Sequence, residues 1–161
     1  MKKPDTYNIL FCGIGGQGVL TAAEVVGWAA TIAGYHTKKT EVHGMAQRGG
    51  SVESHVRFGK TVYSPLIPKG RVDFLVPFHR DEGVRLADFL KPGGVDFTGA
   101  LARIHASIHD KRYLNTYLIG MLAQKLPLKD EHWLKALGVV FAHKDLDENK
   151  RIFFSAKEVQ L

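Results

Sequence analysis

Gly13-x-Gly15-x-x-Gly18 is the spacing in this chain that most directly implies chemistry. It follows the apolar run Tyr7-Asn-Ile-Leu-Phe-Cys12 and precedes a small-residue stretch from Val19 to Ala33. Glycines between a strand and a helix let backbone N–H groups approach an anion at the positive end of the helix. The same spacing opens dinucleotide-binding units, and Glu41 stands roughly 20 residues beyond the loop, where a ribose-binding acid is sought. Two features point elsewhere. Gln17, immediately before Gly18, is foreign to that fingerprint, and the second extended segment leads into more glycines and a hairpin rather than a helix. From the residues alone three readings stay open: a nicotinamide or flavin, another ligand or partner, or a tight turn that needs glycine for packing only.

A second constellation runs Glu41-Val-His43-Gly-Met-Ala-Gln47-Arg48-Gly49-Gly50-Ser51. Arg48, set between Gln47 and two glycines with His43 nearby, suits a phosphate or carboxylate, because a guanidinium binds such groups bidentately. An ion pair from Arg48 to Glu41 or Glu53 fits the same residues equally well. The functional expectation is that Arg48 lies beside the Gly13–Gly18 loop, on one surface facing an anionic ligand or a companion subunit. Cys12, at a strand end, reads as an inert buried thiol. His105 and His109 stand four apart and would share a helical face, but no third ligand completes a metal set, so they read as solvated. No acid–base pair or activated nucleophile can be assembled.

The elements that position these residues follow from periodicity. Residues 7–12 form a strand, and a helix from Val19 to Ala33 ends at Gly34. A polar, Thr-rich strand covers Tyr35 to Glu41. Val52, Ser54, Val56 and Phe58 alternate with polar residues, and Gly59-Lys60 turns the chain into Thr61-Val-Tyr63, so 51–63 reads as a β-hairpin. Val72–Phe78 is a buried strand, Asp81 caps a helix reaching about Leu90, Pro92-Gly93-Gly94 ends it, and Val95–Phe97 is a short strand. Tyr113, Leu114, Tyr117, Leu118, Met121 and Leu122 make one stripe of an amphipathic helix, with Gly120 marking close packing. Trp133, Leu134, Leu137, Val140 and Phe141 repeat the pattern. The fold class is α/β: a Rossmann-like, largely parallel sheet with a β-hairpin, opening on a Gly-rich strand–helix turn.

Composition bounds the rest. The chain has 161 residues, 45% hydrophobic and 24% charged, enough for one domain with a real core and too apolar for disorder. One cysteine excludes a disulfide scaffold and an iron–sulfur cluster held by this chain alone, which needs four thiolates. No apolar run approaches the ~20 residues that span a bilayer, and no signal-peptide core follows Met1, so a cytoplasmic protein without membrane contact is expected. The net charge of +6 permits an anionic partner, but the basic residues are scattered and do not interleave with aromatics, which argues against nucleic acid.

Three strings taken together carry a resemblance: Gly13-Ile-Gly-Gly-Gln-Gly-Val-Leu20, Glu41-Val-His-Gly-Met-Ala-Gln-Arg-Gly-Gly-Ser51 and Tyr63-Ser-Pro-Leu-Ile-Pro68. They resemble the gamma subunit or domain of 2-oxoacid:ferredoxin oxidoreductases, and the second string looks most like the small (beta) subunit of the indolepyruvate enzymes. The match is good from residue 7 to about 97 and weaker at Asn115, Leu118-Ile-Gly120, the Pro127 region and Asn149.

The resemblance implies one gamma-type domain over residues 1–161, an accessory subunit without catalytic residues or metal. Such enzymes oxidatively decarboxylate 2-oxoacids to acyl-CoA and pass electrons to ferredoxin. Thiamine diphosphate and iron–sulfur clusters are then expected in large companion subunits, with coenzyme A as co-substrate. It further implies ligand or partner contact through Gly13, Gly15, Gly16, Gln17, Gly18, His43, Gln47, Arg48, Gly49, Gly50 and Ser51. One departure stands out. About fifteen residues separate Val95 from Tyr113, barely a parallel crossover, so the family's further strand and helix are missing and the C-terminal part reads as shortened. The other function classes kept open are a stand-alone Rossmann-type NAD or FAD oxidoreductase and a ligand-sensing or assembly module.

Overall fold

The structure, a computed structural model, describes residues 3–45 and 48–161. Strand β1 (Thr6–Ile14) carries no polar side chain from Ile9 to Ile14, and Ile9–Gly13 are buried, because both faces of that stretch are covered. Ile9 and Phe11 enter the larger core, and Leu10 and Cys12 enter a smaller one with Ile67, Val72, Leu75 and Leu86. Helix α1 (Val19–Ile32) packs Ala22, Val25, Val26 and Ala29 on the larger core. Its end is closed by Gly34 at φ 91°, with Gly34 N–H donating to the Thr31 carbonyl and Tyr35 N–H to Ala30, the paired closure of a left-handed cap.

Strand β2 (His36–His43) and strand β3 (Ser51–Gly59) then pair antiparallel. β3 also lies antiparallel along β1, from Thr6↔Gly59 to Ile14↔Ser51. Strands β4 (Val72–Pro77) and β5 (Leu90–Asp96) add in parallel, giving the order β2-β3-β1-β4-β5. The sheet is thus mixed, parallel on the β1-β4-β5 side and antiparallel on the other. A β-hairpin is present, but its arms are β2 and β3. Residues 61–63 join no strand, and Val62 N–H instead donates to the His36 ring nitrogen Nδ1.

Helix α2 (Arg80–Arg85) is shorter than the 81–90 span expected, and its N-cap side chain is His79, which accepts from Asp81 N–H. Pro92, Gly93 and Gly94 do not end a helix; they lie inside β5, whose pairing with β4 is irregular between Val72 and Phe74. After β5 come a 3₁₀ turn (Thr98–Ala100) and helix α3 (Leu101–Ser107), followed by a second 3₁₀ turn, Lys111–Tyr113. Helix α4 (Leu114–Ala123) is buried on nearly every side rather than along one stripe. A Cβ on Gly120 would stand 2.4 Å from the Phe153 carbonyl oxygen, so the glycine lets α6 (Leu146–Lys157) touch it. Helix α5 (Asp130–Val140) places Trp133 and Leu137 in the larger core.

Candidate functional site

Residues 14–18 turn the chain from the C-terminal end of β1 into α1. The turn is clamped from within. Gln17 Oε1 accepts from Ile14 N–H at 2.8 Å, its Nε2 donates to the Phe78 carbonyl at 3.3 Å, and Phe78 N–H donates to the Cys12 carbonyl at 2.7 Å. The Gln17 amide therefore ties the loop to the end of β4. Gly16 and Gly18 hold φ values of 92° and 88°, a conformation in which a side chain is strained. A Cβ at Gly18 would also stand 2.8 Å from Asn115 Nδ2, so this glycine admits the start of α4.

The hairpin loop arrives from the other side. Gly15 N–H donates to the Gly50 carbonyl at 3.0 Å, and a Cβ on Gly15 would lie 3.6 Å from Gly49 N. Gly44 N–H closes the loop base on the Ser51 carbonyl at 2.7 Å, and Ser51 Oγ donates to Glu82 of α2 at 2.9 Å. The structure thus brings Gly15, Gly49 and Gly50 into one seam. Arg48 is exposed beside them, and both carboxylates named as its internal partners are engaged elsewhere. Glu41 meets Lys39 at 3.3 Å and His43 at 3.5 Å, while Glu53 meets Arg85 at 3.0 Å and His55 at 3.4 Å. Hydrogen bonds from His55 and then Arg85 hold the Glu53 carboxyl below the usual carboxylate range. His43 stays on the exposed end of β2 with Glu41, and Gln47 lies outside the described residues.

Next to the seam is a cleft of about 460 Å³ lined by Gly16, Gln17, Gly18, His105, Lys111 and Arg112. A second cleft of about 590 Å³ shares Gln17 and His105 with it and continues past Phe78, Arg80, Thr98 and Leu101. Both open at the C-terminal ends of β1 and β4, where strand connections leave the sheet in opposite directions and α/β folds bind ligands. The walls are cationic: Lys111, Arg112, Arg80 and the α1 N-terminus, whose first turn has no acidic residue. Arg112 is oriented by Asp110 at 2.7 Å, and that hydrogen bond holds the Asp110 carboxyl low. The arrangement can hold an anion; it assembles no nucleophile–base pair.

Sequence reasoning missed this collar. The i, i+4 spacing of His105 and His109 predicts a shared helical face, but His105 lies on α3 and His109 beyond its end, so they share none. Among the described residues no three metal-binding side chains cluster. Burial pushes the Cys12 thiol far up, with Glu82 adding to the shift, which keeps it protonated. Glu41 does not reach the glycine loop as a ribose-binding acid would. β3 intervenes between β1 and β2, placing them two strand spacings apart, roughly 10 Å.

Known proteins share this architecture. The gamma subunit of a keto/oxoacid ferredoxin oxidoreductase from Geobacter sulfurreducens superposes with a TM-score of 0.73 at 22% identity, covering 94% of this chain and 96% of that one. The 2-oxoglutarate:ferredoxin oxidoreductase from Magnetococcus marinus, solved with 2-oxoglutarate, coenzyme A and succinyl-CoA bound, gives 0.74 at 17% identity over 96% of this chain and 31% of that one. At these identities the likeness is one of fold. In sequence, indolepyruvate oxidoreductase subunit IorB of Thermococcus kodakarensis is 51% identical over 94 residues, 58% of this chain and 46% of the relative. The chain spans about half the length of these curated relatives. The family model for pyruvate ferredoxin/flavodoxin oxidoreductase matches residues 8–159, nearly the whole described fold including both glycine motifs, and the chain belongs to that family.

Proposed function

We propose that this chain is an accessory subunit of a thiamine diphosphate-dependent 2-oxoacid:ferredoxin oxidoreductase of the indolepyruvate, or aryl-pyruvate, type, working in the cytoplasm. The observation that carries the reading is the Gly15 N–H to Gly50 carbonyl bond, which welds the two glycine motifs beside a cationic cleft. Gly15, Gly16, Gly18, Arg48, Gly49 and Gly50, with Lys111 and Arg112, form the surface that faces the diphosphate-bearing coenzyme A, while Gly13 is buried behind it and lets Gln17, Val19 and Phe78 close in. Gln17 and Ser51 position that surface through Phe78 and Glu82. His43, on the exposed end of β2, is assigned to contact with the companion chain, and by its place in the sequence motif so is Gln47.

Coenzyme A fits this wall, because backbone N–H groups and guanidinium or ammonium groups are what phosphates require. An iron–sulfur cluster does not fit, since the single cysteine is buried. On this reading the clusters and thiamine diphosphate sit in large companion subunits, through which the complex meets ferredoxin. In the reaction the coenzyme A thiol captures the acyl group left when the 2-oxoacid loses CO₂, and the released electrons go to ferredoxin. This chain's part is to hold and orient the anionic end of the thiol donor.

The test is kinetic. In the reconstituted complex, Lys111→Ala together with Arg112→Ala should raise KM for coenzyme A at least tenfold and leave KM for the 2-oxoacid unchanged. Equal effects on both substrates, or on neither, would contradict the assignment of the cleft.

A further inference from the structure

Between β3 and β4, residues 60–71 form neither helix nor strand, yet side chains of the sheet fix them at four backbone groups. Val62 N–H donates to His36 Nδ1 at 3.1 Å and Ile67 N–H to His55 Nδ1 at 3.1 Å. Arg57 Nη1 donates to the carbonyls of Ser64 at 2.8 Å and Leu66 at 3.2 Å, and Arg57 Nε is braced on Asn8 at 2.8 Å. His55 accepts at Nδ1, so its Nε2 carries the proton and donates to Glu53. Val62 and Ile67 are each 2% exposed and act as anchors, while Pro65 and Pro68 fix φ at two more positions. Between the anchors the strap turns outward what a soluble surface normally hides: Tyr63 is 88% and Leu66 52% exposed.

A loop held this firmly has already lost the freedom that binding would otherwise remove, so its exposed side chains form a pre-organised contact surface. Tyrosine is also among the residues that dominate interface energies. The charge pattern narrows the partner. Residues 57–71 contain Arg57, Lys60, Lys69 and Arg71 but no Asp or Glu. Arg57 is committed to the strap and Lys69 to Asp88, and among the described residues Lys60 and Arg71 form no ion pair. A second copy of the chain fits poorly, because a two-fold contact would oppose these like charges. An apolar pocket with an acidic rim fits well.

We propose that the Tyr63–Leu66 strap docks this chain onto the large thiamine-dependent subunit, Tyr63 and Leu66 entering an apolar pocket rimmed by Asp and Glu. The inference rests on the accessory-subunit function. β3 runs from the glycine-loop end at Ser51 to the strap end at Gly59, roughly 26 Å, so docking and ligand binding are separable by mutation.

The experiment measures affinity of the full chain for the purified large subunit by calorimetry. Tyr63→Ser with Leu66→Ser should weaken binding at least tenfold with an unchanged thermal midpoint, whereas Leu134→Ser with Val139→Ser, on the exposed face of α5, should leave it intact. Lys60→Glu with Arg71→Glu should also weaken binding and remove its salt dependence. Affinity of the strap variant within twofold of wild type would overturn the docking role alone. So would a wild-type homodimer that the strap variant dissolves. Failure of the wild-type chain to bind the large subunit would instead overturn the subunit function itself, and the strap with it.

Discussion

Gly13 and Gly15 lie two residues apart in one loop, yet alanine should be rejected at the first and tolerated at the second. A Cβ on Gly13 would stand 2.8 Å from Gln17 Oε1, 2.8 Å from Phe78 Cβ and 2.9 Å from Val19 Cγ2. Val19 opens α1 and Phe78 follows β4, anchored by its N–H to the Cys12 carbonyl, so the two cannot both retreat. Gln17 could swing away only by releasing Ile14 N–H and the Phe78 carbonyl. Overpacking costs about 1–3 kcal/mol and a lost clasp about 1 kcal/mol, so Gly13→Ala should destabilise by about 2–4 kcal/mol. At Gly15 the nearest atoms are Gly49 N at 3.6 Å and the Gly50 carbonyl oxygen at 3.8 Å, ordinary contact distances, and its φ is not in the left-handed region. Alanine there should be neutral or stabilising by up to about 1 kcal/mol, because it restricts the unfolded chain.

The same exposed methyl group would cover the seam between the motifs. Gly15→Ala is therefore the more informative variant: intact in urea unfolding followed by tryptophan fluorescence, but impaired for coenzyme A in the reconstituted enzyme. Stability losses at the two positions within about 1 kcal/mol of each other would refute the packing argument. Full activity of the Gly15→Ala complex at limiting coenzyme A would refute the ligand-facing role of the seam.

Arg48→Ala should leave the unfolding midpoint of the isolated chain unchanged, within about 0.5 kcal/mol, and reduce activity of the assembled enzyme. A destabilised subunit in a fully active complex would assign Arg48 to an internal ion pair instead. Glu53 has a folded pKa below its unfolded value of about 4.3, so the stability it confers is present above that pH and lost as pH falls through the folded value. Thermal midpoints of wild type and Glu53→Gln should accordingly differ at pH 7 and converge in acid, and a gap independent of pH would count against the His55 and Arg85 contacts. Titration with NADH or FAD should give no micromolar binding, since Glu41 sits two strands from β1; saturable heat at micromolar ligand would restore the dinucleotide function.

The elements legible in the sequence are those whose signals are local. β1 is an apolar run broken by glycine, α1 ends where Gly34 can adopt positive φ, and every residue of β4 is buried. What failed was partner choice. The alternation of 51–59 marks a strand correctly, but its hairpin partner precedes it, in the Thr- and Lys-rich 36–43 segment whose polarity is that of an edge strand. Pro92-Gly93-Gly94 has the composition of a breaker. It serves as a strand irregularity, because β5 must pair with Val72 and a Cβ on Gly94 would stand 2.9 Å from the Val72 carbonyl oxygen. α6 escaped notice because it is mostly polar, burying only Asn149, Phe153 and Ala156.

The candidate site divides along the same line. The glycine loop is visible in the sequence, whereas Lys111, Arg112 and His105 come from a segment with no period and no motif. They reach the loop because α4 begins against Gly18, where Asn115 occupies the space a side chain would need, and the turn that precedes α4 is carried in with it. Thr116 then bonds Asn149 at 2.5 Å, fixing α4 to α6 and the collar to the core. Gly13 admits β4 and α1, and Gly18 admits α4, so both outer glycines of the motif are required by packing before any ligand is considered. The spacing shared with dinucleotide-binding folds thus reports how closely a strand, a helix and their neighbours approach. What the loop faces is set instead by the elements packed around it, here an antiparallel hairpin and a basic turn in place of a second parallel strand and its acid.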